Sequence, residues 1–320
     1  MEERTDLSSY TKLTDTIRRQ VADIIVGQEE AVDMLLTCMI ADGHVLLEGM
    51  PGVAKTLLAR LMARLLDARF SRIQFTPDLM PSDILGTSVY NMKSGNFEMH
   101  QGPAFADVVL ADEINRAPAK TQAALFEVME ERQATIDGHT YAMSPVYTII
   151  ATQNPVEQEG TYRLPEAQLD RFMMKIEMGY PSVDDEVEIL RRHNDNAAFA
   201  RLADMEPVMG KDMLADMRRM AENVHIDISL LRYIAQIVDG TRQTKDTYVG
   251  ASPRAAIAMM LTSKAYALLQ GRDFVVPDDI KVVTPHVLCH RLMLTAEAEM
   301  EGVTPHTAIK RIVEQVEVPK

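Results

Sequence analysis

The sequence predicts an α/β fold. A parallel sheet with flanking helices covers residues 1–180, and a smaller all-helical domain covers 181–320. Three observations carry this. Short apolar strands alternate with helical segments up to about Pro181. One strand–helix junction, "HVLLEGMPGVAKTLLARLMARLL" at 44–66, has the spacing of a phosphate-binding loop. Beyond Pro181 the apolar pattern is helical almost throughout.

Taken in order, "SSYTKLTDTIRRQVADII" reads as a helix with its serines placed to cap it. "VGQEEAVDMLLTCMIADG" is a second helix, ending at Gly43. "HVLLEG" is an apolar strand, and leucine or methionine at 57, 58, 61, 62, 65 and 66 makes a helical stripe. "FSRIQF" is a strand. "GTSVYNMKSGNFEMHQG" has hairpin character, with Ser-Gly-Asn as its turn. "ADVVLADEINRA" is a buried strand running into acidic residues. "PAKTQAALFEVMEERQ" is a helix with Pro118 near its first turn. Asp137-Gly138 turns a second hairpin before the strand "YTIIATQ", and "RFMMKIEMGYP" is the last strand. Then come four clear helical segments from "DMLADMRRMAENV" to "PDDIKVVTPHVLCHRL". The tail "EGVTPHTAIKRIVEQVEVPK" is expected to close the helical bundle.

Bulk properties exclude several classes. The 320 residues carry 33 basic against 47 acidic side chains, a net charge of −14, which disfavours nucleic acid as the primary partner. The start, "MEERTDLSSY", has no apolar core of a secretory signal. No apolar run is long enough to cross a membrane. The two cysteines, Cys38 and Cys289, form no disulfide framework, so a cytoplasmic setting is expected.

The chemistry-bearing residues follow from their spacing. Gly49, Gly52, Lys55 and Thr56 sit between a strand and a helix, where backbone N–H groups and the helix dipole favour phosphate. Pro51, Val53 and Ala54 complete the loop. Lys55 suits the β- and γ-phosphates of ATP, and Thr56 suits Mg²⁺. The common pattern has glycine where Ala54 stands. Alanine fits without strain if its φ is negative, and costs about 1 kcal/mol if φ is positive. Asp112 and Glu113 end a buried strand. Asp112 suits a Mg²⁺-linked carboxylate, and Glu113 a base that polarises an attacking water. Asn154, after "TIIATQ", offers a short amide to that water or to the γ-phosphate. Arg171 in "LPEAQLDRF" offers a planar fork to a neighbour's phosphate. Arg254 in "GASPRA" opens a helix from which it would reach bound nucleotide across a cleft.

Together, "LLEGMPGVAKT", "FTPDLMPSDILG", "VVLADEINRAPAKTQAALFEVMEE", "ATQNPVEQEGTYRLPEAQLDRF" and "GASPRA" resemble the MoxR family of AAA+ ATPases, from about residue 8 to the C-terminus. Alanine before the loop lysine is usual in that family. The resemblance implies an AAA+ P-loop domain and lid. It makes Gly49–Thr56 the Walker A loop, Asp112 and Glu113 Walker B, Asn154 sensor 1, Arg171 the arginine finger and Arg254 sensor 2. Val26 and Gly27 would line an adenine pocket. Gln74 would be a polar partner of Glu113, and Arg116 would lie near a subunit interface. The hairpins near 86–101 and 134–146 resemble the helix-2 and pre-sensor-1 inserts. The family implies a homo-oligomeric ring, commonly a hexamer, acting on client proteins with von Willebrand factor A domain partners.

Other readings carry less. A DNA-directed motor conflicts with the acidic balance and lacks a basic appendage. A chelatase-type motor differs only in motif detail. His286, Cys289 and His290 suggest a metal site, but no fourth ligand is near in sequence, and Pro285 with the leucines reads as a capped, core-facing helix. The acidic "DFVVPDDIKVV" lacks calcium-loop spacing and reads as a turn and helix start.

Overall fold

A computed structural model describes residues 7–155, 162, 164–194 and 205–319. Residues 156–161 and 163 of the stretch "ATQNPVEQEGTYRLP", and the first six residues, lie outside the described residues. The centre is a five-stranded parallel sheet. Strands β1 (Val45–Gly49), β2 (Phe70–Gln74), β5 (Val108–Asp112), β8 (Thr148–Gln153) and β9 (Met174–Met178) lie in the order β2-β5-β8-β1-β9. All the strand pairs are parallel, so every carboxyl end leaves the sheet on one edge and every amino end on the other.

The two-residue period of a strand sends neighbouring side chains to opposite faces. Val45 and Leu47 enter one core while Leu46 enters the other, and Val108 and Val109 divide in the same way. The first core holds α1 (Ser8–Ala22), α2 (Glu29–Ile40) and α3 (Lys55–Leu65). The second holds α5 (Ala119–Glu131), with α4 (Pro81–Leu85) packed against it. Leu58, Leu61, Met62 and Leu65 of α3 are fully buried, each stabilising by about 1.5–3 kcal/mol. This burial makes the helix that begins at the loop a fixed support.

Two hairpins leave the sheet: β3 (Gly86–Asn91) with β4 (Asn96–Gln101), and β6 (Gln133–Ile136) with β7 (His139–Ala142). Asp137 and Gly138 both have positive φ, as a tight two-residue turn requires. The first hairpin turns at 92–95, slightly earlier than the expected Ser-Gly-Asn.

After the short α6 (Glu166–Leu169) and β9, the chain becomes helical. It forms α7 (Val183–Asn194), α8 (Lys211–Asn223), α9 (Ile228–Gln243), α10 (Pro253–Leu269), α11 (Pro277–Leu288), α12 (Ala296–Met300) and α13 (Pro305–Gln315). A ribbon of β10 (Thr247–Val249) and β11 (Met293–Leu294), too short to be read from the sequence, ties two connections together. Helices α8 to α11 and α13 join the first core, so the apolar interior runs unbroken from the sheet into the helical half. The tail helix α13 packs on α9 and α11. A Cβ at Gly240 would lie 2.7 Å from Ile312, so the two helices approach closely.

Two local expectations are corrected. The N-cap of α1 is Leu7, with no side-chain cap, and the helix already includes Ser8. Pro285 lies inside α11 rather than capping it, with Thr284, Val287 and Leu288 buried around it.

Candidate active site

The loop 49–56 leaves the carboxyl end of β1, and Asp112, Glu113 and Asn154 leave the same ends of β5 and β8. Asp112, Glu113 and Asn154 line a cleft of about 400 Å³ with Pro51, Gly52, Val53, Ala54, Lys55, Thr56, Arg72 and Thr152, and Gly49 stands outside that lining. A Cβ at Gly49 would come within 2.5 Å of the Met178 carbonyl, so glycine is required where β1 and β9 end side by side. Ala54 has φ +68 and ψ +22, in the left-handed region. The strain-free alternative for this alanine is thereby excluded, and the loop holds about 1 kcal/mol of strain at the residue before its lysine. Glu113 is also left-handed, at φ +56. Two non-glycine residues with positive φ therefore face one cleft, the usual place for stored backbone strain.

The polar groups around the two carboxylates form one connected chain, with Lys55 held beside it by the loop backbone. Lys55 Nζ donates to the carbonyls of Gly49, at 2.5 Å, and Met50, at 2.9 Å. Thr56 Oγ1 donates to Asp112 Oδ2 at 3.3 Å. Thr152 Oγ1 donates to Asp112 Oδ1 at 2.6 Å and accepts the Glu113 N–H at 2.9 Å. Arg72 Nε and Nη2 both reach Asp112 Oδ2, at 2.9 and 2.7 Å. Arg72 Nη2 also donates to Gln74 Oε1 at 2.5 Å, and Gln74 Nε2 donates to Glu113 Oε2 at 2.7 Å. Arg116 Nε stands 3.1 Å from the same Glu113 oxygen. The hydroxyl of Thr56 beside the carboxylate of Asp112 is a hard-oxygen donor pair of the kind Mg²⁺ takes.

Sequence reasoning missed Arg72 and Thr152. The sequence signal is slight: alternation sets Arg72 and Gln74 on one side of β2, but only the register that pairs Gln74 with Asp112 brings Arg72 to the carboxylate. Val26 and Gly27 do not line the cleft. They lie close by, since Gln28 Nε2 donates to the Gly179 carbonyl just past β9.

Arg171 and Arg254 are elsewhere. Met173, two residues after Arg171, donates its N–H to the His44 carbonyl, immediately before β1. Arg171 is thus at the amino edge of the sheet, a strand length of roughly 16 Å from its own loop. Its Nη1 donates to the Phe126 carbonyl at 2.7 Å, and Nη2 stands 3.1 Å from Glu130 Oε2. Arg254 Nη2 donates to Glu130 Oε1 at 2.8 Å. Arg254 therefore sits beside Arg171, not across a cleft from this chain's own loop. A larger cavity, about 700 Å³, opens between α6 and the β10–β11 ribbon, but no loop residue lines it.

His286, Cys289 and His290 do not converge. His286 Nε2 is 3.1 Å from Glu30, and His290 Nε2 donates to the Phe172 carbonyl. Cys289 is buried near Glu177 and His306, but Lys175 Nζ already stands 3.0 Å from Glu177 and neutralises it. The acidic stretch at 273–279 is a helix start, with Asp279 accepting the Val276 N–H and pairing with Arg272.

Comparison with known proteins agrees with this geometry. Residues 44–174 match the ATPase family associated with various cellular activities (AAA), and residues 239–312 match the AAA lid domain. The chain is 47% identical over 296 residues to the uncharacterized protein YeaC of Bacillus subtilis, covering 92% of each. It is 43% identical to Chaperone MoxR1 of Mycobacterium tuberculosis, over 94% of this chain and 81% of that one. A crystal structure of a candidate ATPase from Cytophaga hutchinsonii superposes with a TM-score of 0.89 at 41% identity, over 98% of this chain and 97% of that one. A glycine-bounded strand–helix loop after β1, a carboxylate pair at the end of β5 and a helical lid, matched to such relatives, make this chain an ATPase of the MoxR family of AAA+ proteins.

Proposed function

We propose that this chain hydrolyses Mg-ATP at sites shared between neighbouring copies in a ring, and that the cycle drives chaperone-like remodelling, maturation or assembly of client proteins. One observation supports the shared site above all others. The loop, carboxylates and Asn154 occupy the carboxyl edge of the sheet, while Arg171 and Arg254 occupy the amino edge. A single chain cannot bring both sets to one phosphate. A head-to-tail neighbour can, and head-to-tail contacts with rotation close into rings. The family's commonest ring is a hexamer.

In this reading Lys55 and the loop N–H groups hold the phosphates, and Val26 and Gly27 flank the adenine. Thr56 and Asp112 would hold Mg²⁺, which supplies charge neutralisation on the phosphate oxygens. Glu113 accepts a hydrogen bond from the attacking water and polarises it, with Asn154 orienting the same water. Gln74 and Arg116 hold the Glu113 carboxylate until that water is in place. The neighbour's Arg171 and Arg254 supply positive charge where it develops. Thr152 fixes Asp112 and the Glu113 backbone, so the two carboxylates keep separate directions.

Client contact is supported by the β3–β4 hairpin. Val89, Tyr90, Met92 and Phe97 are all exposed there, and the Tyr90 and Phe97 rings meet edge to face. An exposed apolar tip of this kind marks a protein-binding surface. The M. tuberculosis relative bears the name chaperone. A von Willebrand factor A domain partner rests on the family resemblance alone. A cytoplasmic setting agrees with the two free, buried cysteines. Among the described residues, no helix is long and apolar enough to cross a membrane.

The test is ATP hydrolysis against protein concentration, for wild type and Arg171→Ala, with mass by light scattering. A rate per chain that rises steeply with concentration, and collapses in the variant although ATP still binds, supports shared sites. A concentration-independent rate untouched by the substitution refutes them.

A further inference from the structure

We propose that Glu130 is a positioning residue that holds Arg171 and Arg254 together as one unit, presented to the neighbouring chain's phosphates. The inference rests on the shared-site reading and adds to it. One carboxylate takes one guanidinium on each oxygen: Arg171 Nη2 at 3.1 Å from Oε2, and Arg254 Nη2 at 2.8 Å from Oε1. The two arginines come from different halves of the molecule, one beside α6 and one from the first turn of α10. Two guanidiniums placed side by side repel. One shared anion removes the repulsion and leaves a net positive charge facing outward. Arg171 is further fixed by its bond to the Phe126 carbonyl and by the Phe126 ring, 5.9 Å from the guanidinium carbon.

A second tie reinforces the first. Asp170, next to Arg171, accepts from buried Arg291 Nε at 2.7 Å and from Ser252 Oγ at 3.3 Å. Ser252 lies two residues before Arg254. The segment carrying Arg171 is thereby joined to the helical half through Asp170 as well as through Glu130. Arg254 of the helical half is held against Arg171, which stays fixed to α5. Glu130 does not touch this chain's own cleft, so it acts through the arginines alone.

The three side chains are about a third to a half exposed, at 31% for Arg171, 37% for Glu130 and 52% for Arg254. Exposed ion pairs contribute little to stability, so Glu130→Gln folds. It is expected to lower kcat by about 10- to 100-fold, because a small misplacement of the arginines is amplified in the rate. The KM for ATP and fluorescent-nucleotide binding should barely move, since the loop is untouched. Glu130→Asp keeps the charge and should recover part of the loss.

The deciding comparison adds Glu130→Gln to an Arg171→Ala/Arg254→Ala background. No further fall in kcat is expected there, because the residues through which Glu130 acts are gone. Wild-type kcat in Glu130→Gln, or the same fold-loss in both backgrounds, overturns the proposal. If Arg171→Ala itself leaves the rate unchanged, the shared-site reading fails instead.

Discussion

The two edges of the central sheet differ in kind. The carboxyl edge is a cleft of backbone N–H groups, carboxylates and amides, with backbone strain at Ala54 and Glu113. The amino edge is a tied surface, where two arginines share one carboxylate and Arg291 anchors the segment between them and the helical half. Each edge holds what the other lacks. The parallel sheet causes this separation, since one edge collects strand exits and the other collects strand entries. If neighbouring copies share sites as proposed, each chain is a catalytic half-site at one end and the complement of that half-site at the other.

Substitutions at each edge should therefore fail differently. Arg171→Ala is expected to lower kcat by about 10³-fold or more while nucleotide still binds, as loss of a transition-state cation does. Arg254→Ala should do the same to a smaller degree. Glu113→Gln, at the other edge, should bind ATP normally and hydrolyse it about 10²- to 10⁴-fold more slowly. Equal rates for Glu113→Gln and wild type would remove Glu113 as the base. Lys55→Ala should lose nucleotide binding itself, measured by fluorescence titration, a defect no amino-edge variant should share.

Stability should separate the edges as well. His44 underlies the amino edge, accepting the Ile149 N–H at Nδ1 and donating from Nε2 to the carbonyl of Met129, next to Glu130. Burial, with Arg132 nearby, pushes its imidazole down from 6.5 to about 3. The folded form therefore binds a proton less readily than the unfolded chain. The stability this contributes is present above about pH 6.5 and is lost as pH falls towards 3. Unfolding by denaturant should show a loss on the order of 3 kcal/mol between pH 6.5 and 4, and His44→Gln should flatten it. An unchanged slope in that variant would place the acid sensitivity elsewhere. The smallest effect belongs to the carboxyl edge. Ala54→Gly should stabilise the fold by up to about 1 kcal/mol by removing the left-handed alanine, with ATP still bound. A loss of stability would mean that the extra freedom glycine gives the unfolded chain outweighs the relieved strain.

Much of this was legible in the sequence because it is local. The strand–loop–helix at 44–66 announces itself by glycine spacing, and "VVLADE" by an apolar run ending in carboxylates. The two sheet faces follow from alternation at Val45, Leu46 and Leu47. What stayed hidden depends on contacts distant in sequence. Spacing cannot give the sign of φ at Ala54, which the whole loop decides. Arg72 lies 40 residues from Asp112, and nothing in "FSRIQF" marks it as that carboxylate's partner until β2 and β5 are set in register. The arrangement of Arg254 beside Arg171 needs Glu130, 124 residues before Arg254, an ordinary helix-surface glutamate when read alone.

The most direct test is to mix two inactive proteins. Glu113→Gln lacks the base but keeps its arginines, and Arg171→Ala lacks its arginine but keeps an intact cleft. Each alone should hydrolyse ATP poorly. Mixed, neighbouring copies would combine an intact cleft with an intact arginine, and a substantial part of the wild-type rate should return. If the mixture hydrolyses no faster than the sum of its parts, while light scattering shows that the two proteins assemble together, the two edges do not form one site.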